Sequence, residues 1–404
     1  MNLVMLAAWC GAFFLATTLF SHTVALRLML LFTGFSLVVV AAVQARLRHE
    51  NAGLTFIPPL IWPFAAWAGW AALSMLWSLD PELTGKELRN EIAYAFLALC
   101  LCFVGAQASN AVRIFVSILA LGALAMCGVA LWNFCFGPPA FASWPYSGPG
   151  TYSSTLLVLF PCTLAFIWFA LIRQWPAGYA GAGMVLIALY AVSGYATLNR
   201  TLWLGFMAQF GIAALFLLSR PVRGSVPVRR TRFLIVSVAA LALALAAATG
   251  VKVHDERAVS NPSAALAKDP RQPLWKFTWR QIEARPWIGA GFGRGILRHE
   301  MRDELKNAQL WHSHNQFFDT ALQLGAVGVA LLLVLLAWTI WLAWRLARAA
   351  DDVAAACGIA LLAVVAGMII RNLTDVLWVR QSALLYWGTV GVLLAWGSRA
   401  ARRN

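Results

Sequence analysis

The chain has 404 residues, 61% hydrophobic and 12% charged. Soluble globular proteins carry about 45–50% apolar and about 25% charged residues, so a single soluble core, intrinsic disorder and a disulfide-stapled secreted domain are excluded, and a polytopic membrane protein is required. The net charge of +15 sits mostly between apolar stretches, where it sets topology or binds anions rather than nucleic acid.

A spanning helix takes about 20 mostly apolar residues. In chain order the candidates lie near 3–20, 24–43, 57–77, 91–107, 112–135, 154–172, 179–197, 202–218, 233–250, 323–344, 353–371 and 383–398. The weakest is 57–77, whose first turns hold Pro58, Pro59 and Pro63; proline is tolerated there at an interface or where neighbours support the kink. Residues 1–20 lack the basic start of a signal peptide and lead directly into another span, so they are kept as a helix. The seven cysteines lie in or beside apolar runs with no CxxC pair and read as small hydrophobes. Many of the 20 Trp and 24 Phe fall near span ends, as an aromatic belt requires.

Twelve spans place every short basic loop on one side: Arg46 and Arg48; Arg113; Arg173; the run from Arg220 to Arg232; Arg345 and Arg348; and Arg399, Arg402 and Arg403. That parity predicts cytoplasmic termini. Residues 1–250 then hold spans one to nine, 251–322 form a large outer loop, and 323–404 hold the last three spans. The span interiors read as nearly free of charge.

Inside the long loop, Leu274 to Ala284 predicts an amphipathic interfacial helix that Pro286 stops. Next comes Gly289-Ala-Gly-Phe-Gly-Arg-Gly295. Its N–H groups, flanked by Arg285 and Arg294, suit a phosphate. No strand precedes it, so it is neither a Rossmann turn nor a P-loop, and a flexible turn is the stronger expectation. In Trp311-His-Ser-His-Asn315 the two histidines invite a zinc reading. It is rejected, because positions two apart on a helix point to different sides and no further ligands stand at metal spacing. His314 at a span mouth is instead a candidate proton acceptor near neutral pH, against the bland alternative of a polar cap. Arg200, in a tight outward turn, is either an anion ligand or a snorkelling side chain. Arg371 and Asp375, four apart, read as a helical ion pair.

At these residues the chain resembles the O-antigen ligase and polymerase superfamily of bacterial membrane glycosyltransferases. Three features carry the likeness: His314-Asn315 followed by Gly325-x-x-Gly328; Arg271-x-x-x-Trp275 with Pro286 and Gly289-x-Gly-x-Gly; and Arg200 at the outer start of a span. The extra His312 departs from the pattern, and family spacing favours His314. The resemblance implies an all-α, GT-C-like protein of about twelve transmembrane helices with a large helical periplasmic loop, in the bacterial inner membrane. It implies His314 as general base and Arg200, Arg271 and Arg280 as ligands of the donor diphosphate, with Asn315 and Asp375 in support. No metal or other cofactor is expected. The implied partners are an undecaprenyl-diphosphate-linked glycan, a lipid A-core acceptor and membrane lipids. Ligase is the first expectation, because the chain ends soon after the last span. A polymerase or a protein O-oligosaccharyltransferase shares the motifs. From other classes, a transporter would place ionisable residues in mid-span and show paired broken helices, and a scaffold would tolerate loop substitutions.

Overall fold

The structure is a computed structural model that describes residues 2–48, 54–136, 148–172, 175–197, 199–219, 271–307, 311–376, 378 and 380–402. The expected span at 233–250, and the loop up to 270, lie outside the described residues.

The described chain is helical throughout. Its elements are α1 (Leu3–Thr18), α2 (Val24–Leu47), α3 (Ile61–Leu73) running into a 3₁₀ turn (Ser74–Leu76), α4 (Pro81–Glu87), a π-helical turn (Leu88–Ala93), α5 (Tyr94–Gly105), α6 (Ala111–Phe136), α7 (Pro149–Ile172), α8 (Ala177–Tyr195), α9 (Arg200–Ser219), α10 (Arg271–Ala284), α11 (Arg298–Leu305), α12 (Gln316–Ala347), α13 (Asp352–Asn372) and α14 (Arg380–Ala401). Helices dominate because a bilayer offers the backbone no hydrogen-bond partners, so each segment must satisfy its own.

Among the described residues, seven helices are long and apolar enough to cross a membrane: Val24–Leu47, Pro81–Gly105, Ala111–Phe136, Pro149–Leu171, Ala177–Tyr195, Gln316–Ala347 and Asp352–Asn372. The protein is therefore a multi-pass membrane protein. Leu3–Thr18, Ile61–Leu76 and Arg200–Phe216 are apolar but shorter. The prolines account for one of these: Pro58 and Pro59 stay outside the helix, which starts at Ile61 with Pro63 in its first turn, where the missing N–H does no harm. Sharp starts elsewhere come from side-chain caps. Asp80 accepts from the Leu83 N–H, and Asp351 from those of Val353 and Ala354.

Helix α13 is the centre of the bundle. Its apolar window is 78% buried, and it packs on α7, α9, α12 and α14. Helices α1, α2, α5 and α6 form a second layer, joined to the first through α5 against α14. Amphipathic α10 is present as expected, beginning three residues earlier, at Arg271. It covers a small separate core of Leu274, Phe277, Ala290, Ile296, Leu297, Met301 and Leu322.

Helix α12 is broken at Gly325, whose φ of 66° and ψ of −169° are non-helical. Around the break, neighbours engage three carbonyls and two N–H groups. Leu322 O accepts from the Ala290 N–H at 2.9 Å, Gln323 O from the Gly291 N–H at 2.9 Å, and Leu324 O from the Trp70 indole at 3.0 Å. The Ala326 N–H donates to Pro286 O at 2.7 Å and the Val327 N–H to Trp287 O at 3.4 Å. Residues 286–293 are thus a strap docked onto a broken helix. The contact is too close for side chains: a Cβ on Gly325 would lie 2.2 Å from the Trp287 carbonyl carbon, and one on Gly289 2.4 Å from Gln323.

Candidate active site

The remaining N–H groups from Gly289 to Gly293 are also engaged. Gly289 donates to Arg285 O, Phe292 to Ser74 Oγ at 2.9 Å and Gly293 to Gln323 Oε1 at 3.0 Å. The Ala290 carbonyl accepts from Leu79 and that of Ile288 from the Trp77 indole. The glycine-rich segment is therefore neither a phosphate cradle nor a flexible turn. Its donors are consumed in holding the broken helix.

The histidine turn is built differently. Residues 311–315 are not helical, and His314 has φ 51°, a left-handed conformation rare outside glycine. The turn is pinned at several points. Asn315 caps α12 by accepting from the Phe317 and Phe318 N–H groups and donates its amide to Leu373 O at 3.1 Å. The Ser313 N–H donates to Asp319 Oδ1 at 2.9 Å, and the Trp275 indole on α10 donates to Ser313 O at 2.9 Å.

His314 meets Asp375, with Nδ1 and Oδ1 3.5 Å apart, and both side chains are partly open, at 31% and 21% exposed. The other carboxylate oxygen accepts from buried Arg371 at 3.2 Å. Burial alone would push the Asp375 carboxyl up. The His314 hydrogen bond, the Arg371 charge and the Val376 N–H outweigh it and hold the group well below the usual carboxylate range. Asp375 lies just beyond the end of α13, so the expected helical ion pair is half of a larger arrangement. Arg371 also donates to Thr374 Oγ1 at 3.0 Å, which bonds Thr201 Oγ1 at the start of α9 at 3.3 Å. A Cβ on Gly150, at the start of α7, would sit 3.0 Å from Asp375 Oδ2. The N-termini of α7, α9 and α12 therefore converge on the 371–376 turn, aiming their positive dipole ends at one place.

His312 is buried beside His314, with ring centroids 3.9 Å apart. The expectation that the two rings point apart is overturned, because it assumed a helix. Arg294 lies with Nη2 2.8 Å from His312 Nε2 and its guanidinium 4.5 Å from the centre of the Trp311 ring.

The other expected ligands are distributed unevenly. Arg200 opens α9 with its side chain exposed, one residue from Thr201. Arg271 opens α10. Arg280 pairs instead with Glu304 of α11, both exposed. This pair edges an open groove of about 750 Å³ lined by Trp275, Lys276, Trp279 and Phe318.

The sequence profile of the O-antigen ligase family matches residues 185–333, from α8 through the break in α12. An O-antigen ligase of Pseudomonas aeruginosa is 24% identical over 320 residues, covering 79% of this chain and 72% of that protein. Over that stretch the chain is similar to the O-antigen ligase family, a family of glycosyltransferase-type enzymes. The matched stretch holds Arg200, Arg271, His314 and both glycine motifs, whereas Arg371 and Asp375 lie beyond it.

One cluster among the described residues has the composition of a metal site. His312, His314 and Asp375 offer ligand atoms within 4.8 Å of one another, so the argument that no third ligand exists fails. Their occupancy argues against a cation on other grounds. His312 Nε2 faces one guanidinium and Asp375 Oδ2 another, while His312 Nδ1 receives the His314 N–H at 3.1 Å. A divalent ion would displace these contacts and sit between two fixed positive charges.

Sequence reasoning missed Arg294, the pairing of Arg371 with the site, and Glu91. Arg294 stood in a motif read for its glycines, and the Arg371 signal was an arginine in the last turn of an apolar span. Glu91 is buried in the candidate span Pro81–Gly105, against the expectation of nearly charge-free spans. It shares with Arg294 a cavity of about 20 Å³, room for about one water.

Proposed function

We propose that the chain is an O-antigen ligase that moves a glycan from undecaprenyl diphosphate to lipid A-core at the outer face of the bacterial inner membrane. The observation that carries this reading is the partly exposed His314–Asp375 pair set where three helix N-termini and Arg371 meet. Asp375 faces Nδ1 of His314 and fixes the tautomer that leaves Nε2 free to accept a proton. An acceptor hydroxyl gives that proton to Nε2 as its oxygen attacks the anomeric carbon. The bond from that carbon to the diphosphate oxygen breaks, and the electron pair leaves with the diphosphate. Asp375 stabilises the imidazolium. The leaving diphosphate is met by positive dipole ends and by guanidinium groups, with Arg200 and Arg271 assigned by the family likeness. A single displacement inverts the anomeric centre. No step in this scheme needs a metal.

This reading takes the layout to be twelve spans with cytoplasmic termini and residues 251–322 in the periplasm, supported by the parity of the basic loops. Ser225→Cys, in a background lacking the native cysteines, should resist an impermeant thiol reagent in intact cells and react in lysed ones. Labelling in intact cells would overturn the orientation. The function itself is tested by reconstitution with lipid-linked glycan and either lipid A-core or an unpolymerised repeat unit. Product on lipid A-core alone supports a ligase, and product on the repeat unit alone makes the chain a polymerase.

A further inference from the structure

The second histidine has no part in the chemistry described so far. It is nonetheless nearly enclosed, 4% exposed. Its ring lies between Trp311, with centroids 4.7 Å apart, and His314, at 3.9 Å. Its Nδ1 receives the backbone N–H of His314 at 3.1 Å, and its Nε2 lies 2.8 Å from Arg294. Arg294 is held in turn by stacking on Trp311 and by its place at the docked end of the strap.

We propose that His312 is a positioning residue for His314, with its Nδ1 accepting the His314 N–H. The inference rests on His314 being the base. A residue with φ 51° returns to ordinary backbone regions unless its surroundings over-determine it. The N–H of His314 is fixed by the His312 ring, and its ring lies over that of His312. Apart from Asp375, which meets its ring, the other contacts of the turn hold the residues before and after it. Removing the His312 ring therefore frees the base to leave Asp375.

The same arrangement favours His314 over His312 as the proton acceptor. Burial, then the charges of Arg294 and His314, push the His312 imidazole down to about 2 against the opposing charge of Asp375. A ring that weakly basic is a poor acceptor for an alcohol's proton near neutral pH.

The test measures transfer from lipid-linked glycan to lipid A-core for His312→Ala and His312→Asn, with His314→Ala as reference. His312→Ala should lose at least about tenfold in kcat. Its KM for the donor should stay within about twofold, because the donor's diphosphate is held elsewhere. His312→Asn places an oxygen near the position of Nδ1 and should recover part of the loss. Should His312→Ala fail to fold, judged by size-exclusion behaviour in detergent, His312→Asn carries the test.

Near wild-type kcat in His312→Ala, or no recovery in His312→Asn, overturns the inference. A fully active His314→Ala instead overturns the general-base reading on which it rests.

Discussion

Two segments of the outer region, the glycine-rich strap at 286–293 and the histidine turn at 311–315, both carry residues of the family pattern, and they use their polar groups in opposite ways. In the strap, the N–H groups from Gly289 to Gly293 donate inward, and Gly289 is required because the Gln323 backbone lies 2.4 Å from where its Cβ would stand. In the turn, backbone groups are pinned while the His314 and Asp375 side chains stay partly open. A motif whose donors are spent internally is architecture. One that keeps polar atoms open at a strained residue is a candidate for chemistry.

Gly325→Ala is the strongest way to break this comparison. The new methyl meets the Trp287 carbonyl at a φ of 66°, so the strap must undock or the helix must straighten. A loss on the order of 3 kcal/mol or more is expected, seen as a sharply lowered midpoint in detergent thermal unfolding and little folded protein in the membrane. A variant with wild-type thermal stability would mean that the strap is not docked as described.

His314→Ala tests the other segment and should show the reverse pattern. Transfer should fall by about 10²–10⁴-fold, the usual contribution of a general base, with little change in thermal stability, because the ring is partly exposed and the cap of α12 belongs to Asn315. Unchanged turnover would remove the chemistry from this turn.

Asp375→Asn should be milder, about 10–10²-fold, on the view that it orients and stabilises rather than transfers the proton. Stability carries a signature of its own. The Asp375 carboxyl is held below its unfolded value of about 3.9, so its stabilising contribution is complete above that pH and is lost as pH falls further. The His312 ring gains a proton near pH 6.5 in the unfolded chain but only near about 2 when folded, so stability falls as pH drops below about 6.5. His312→Asn should flatten the decline between about pH 6.5 and 4, and Asp375→Asn the decline below about 4. An unchanged slope in either variant breaks the corresponding assignment.

How far the sequence was legible follows from the range of each interaction. Apolar runs long enough to span are a local property, and helices such as α2, α6 and α13 stand where composition places them. The strap was misjudged because its partner, the break at Gly325, lies some 30 residues away, and only the folded chain shows whose carbonyls its donors reach. His312 and His314 were set apart by a helical period that does not apply before Asn315, where the cap begins the helix. Asp375 and Arg371 were visible as a pair, yet their relation to His314 crosses about 60 residues and needs the packing of α12 against α13. Arg280 fitted the charge expected of a diphosphate ligand, and no local feature pointed to Glu304.

Arg280 gives the smallest expected effect and the finest contrast. It is an exposed arginine paired with an exposed glutamate, and surface ion pairs contribute little. Arg280→Gln should therefore change transfer by less than about threefold. Arg200→Lys keeps a positive charge at the start of α9, beside the Thr201–Thr374 contact, but loses the planar fork that grips two phosphate oxygens. It should lose about tenfold or more and recover little at higher donor concentration, if the fork acts mainly on the leaving diphosphate. Both variants are read from initial rates against lipid-linked donor, with lipid A-core saturating. If Arg280→Gln proves the more damaging of the two, the diphosphate lies along the α10–α11 groove and not beside the histidine turn, and the separation of an architectural region from a chemical one moves with it.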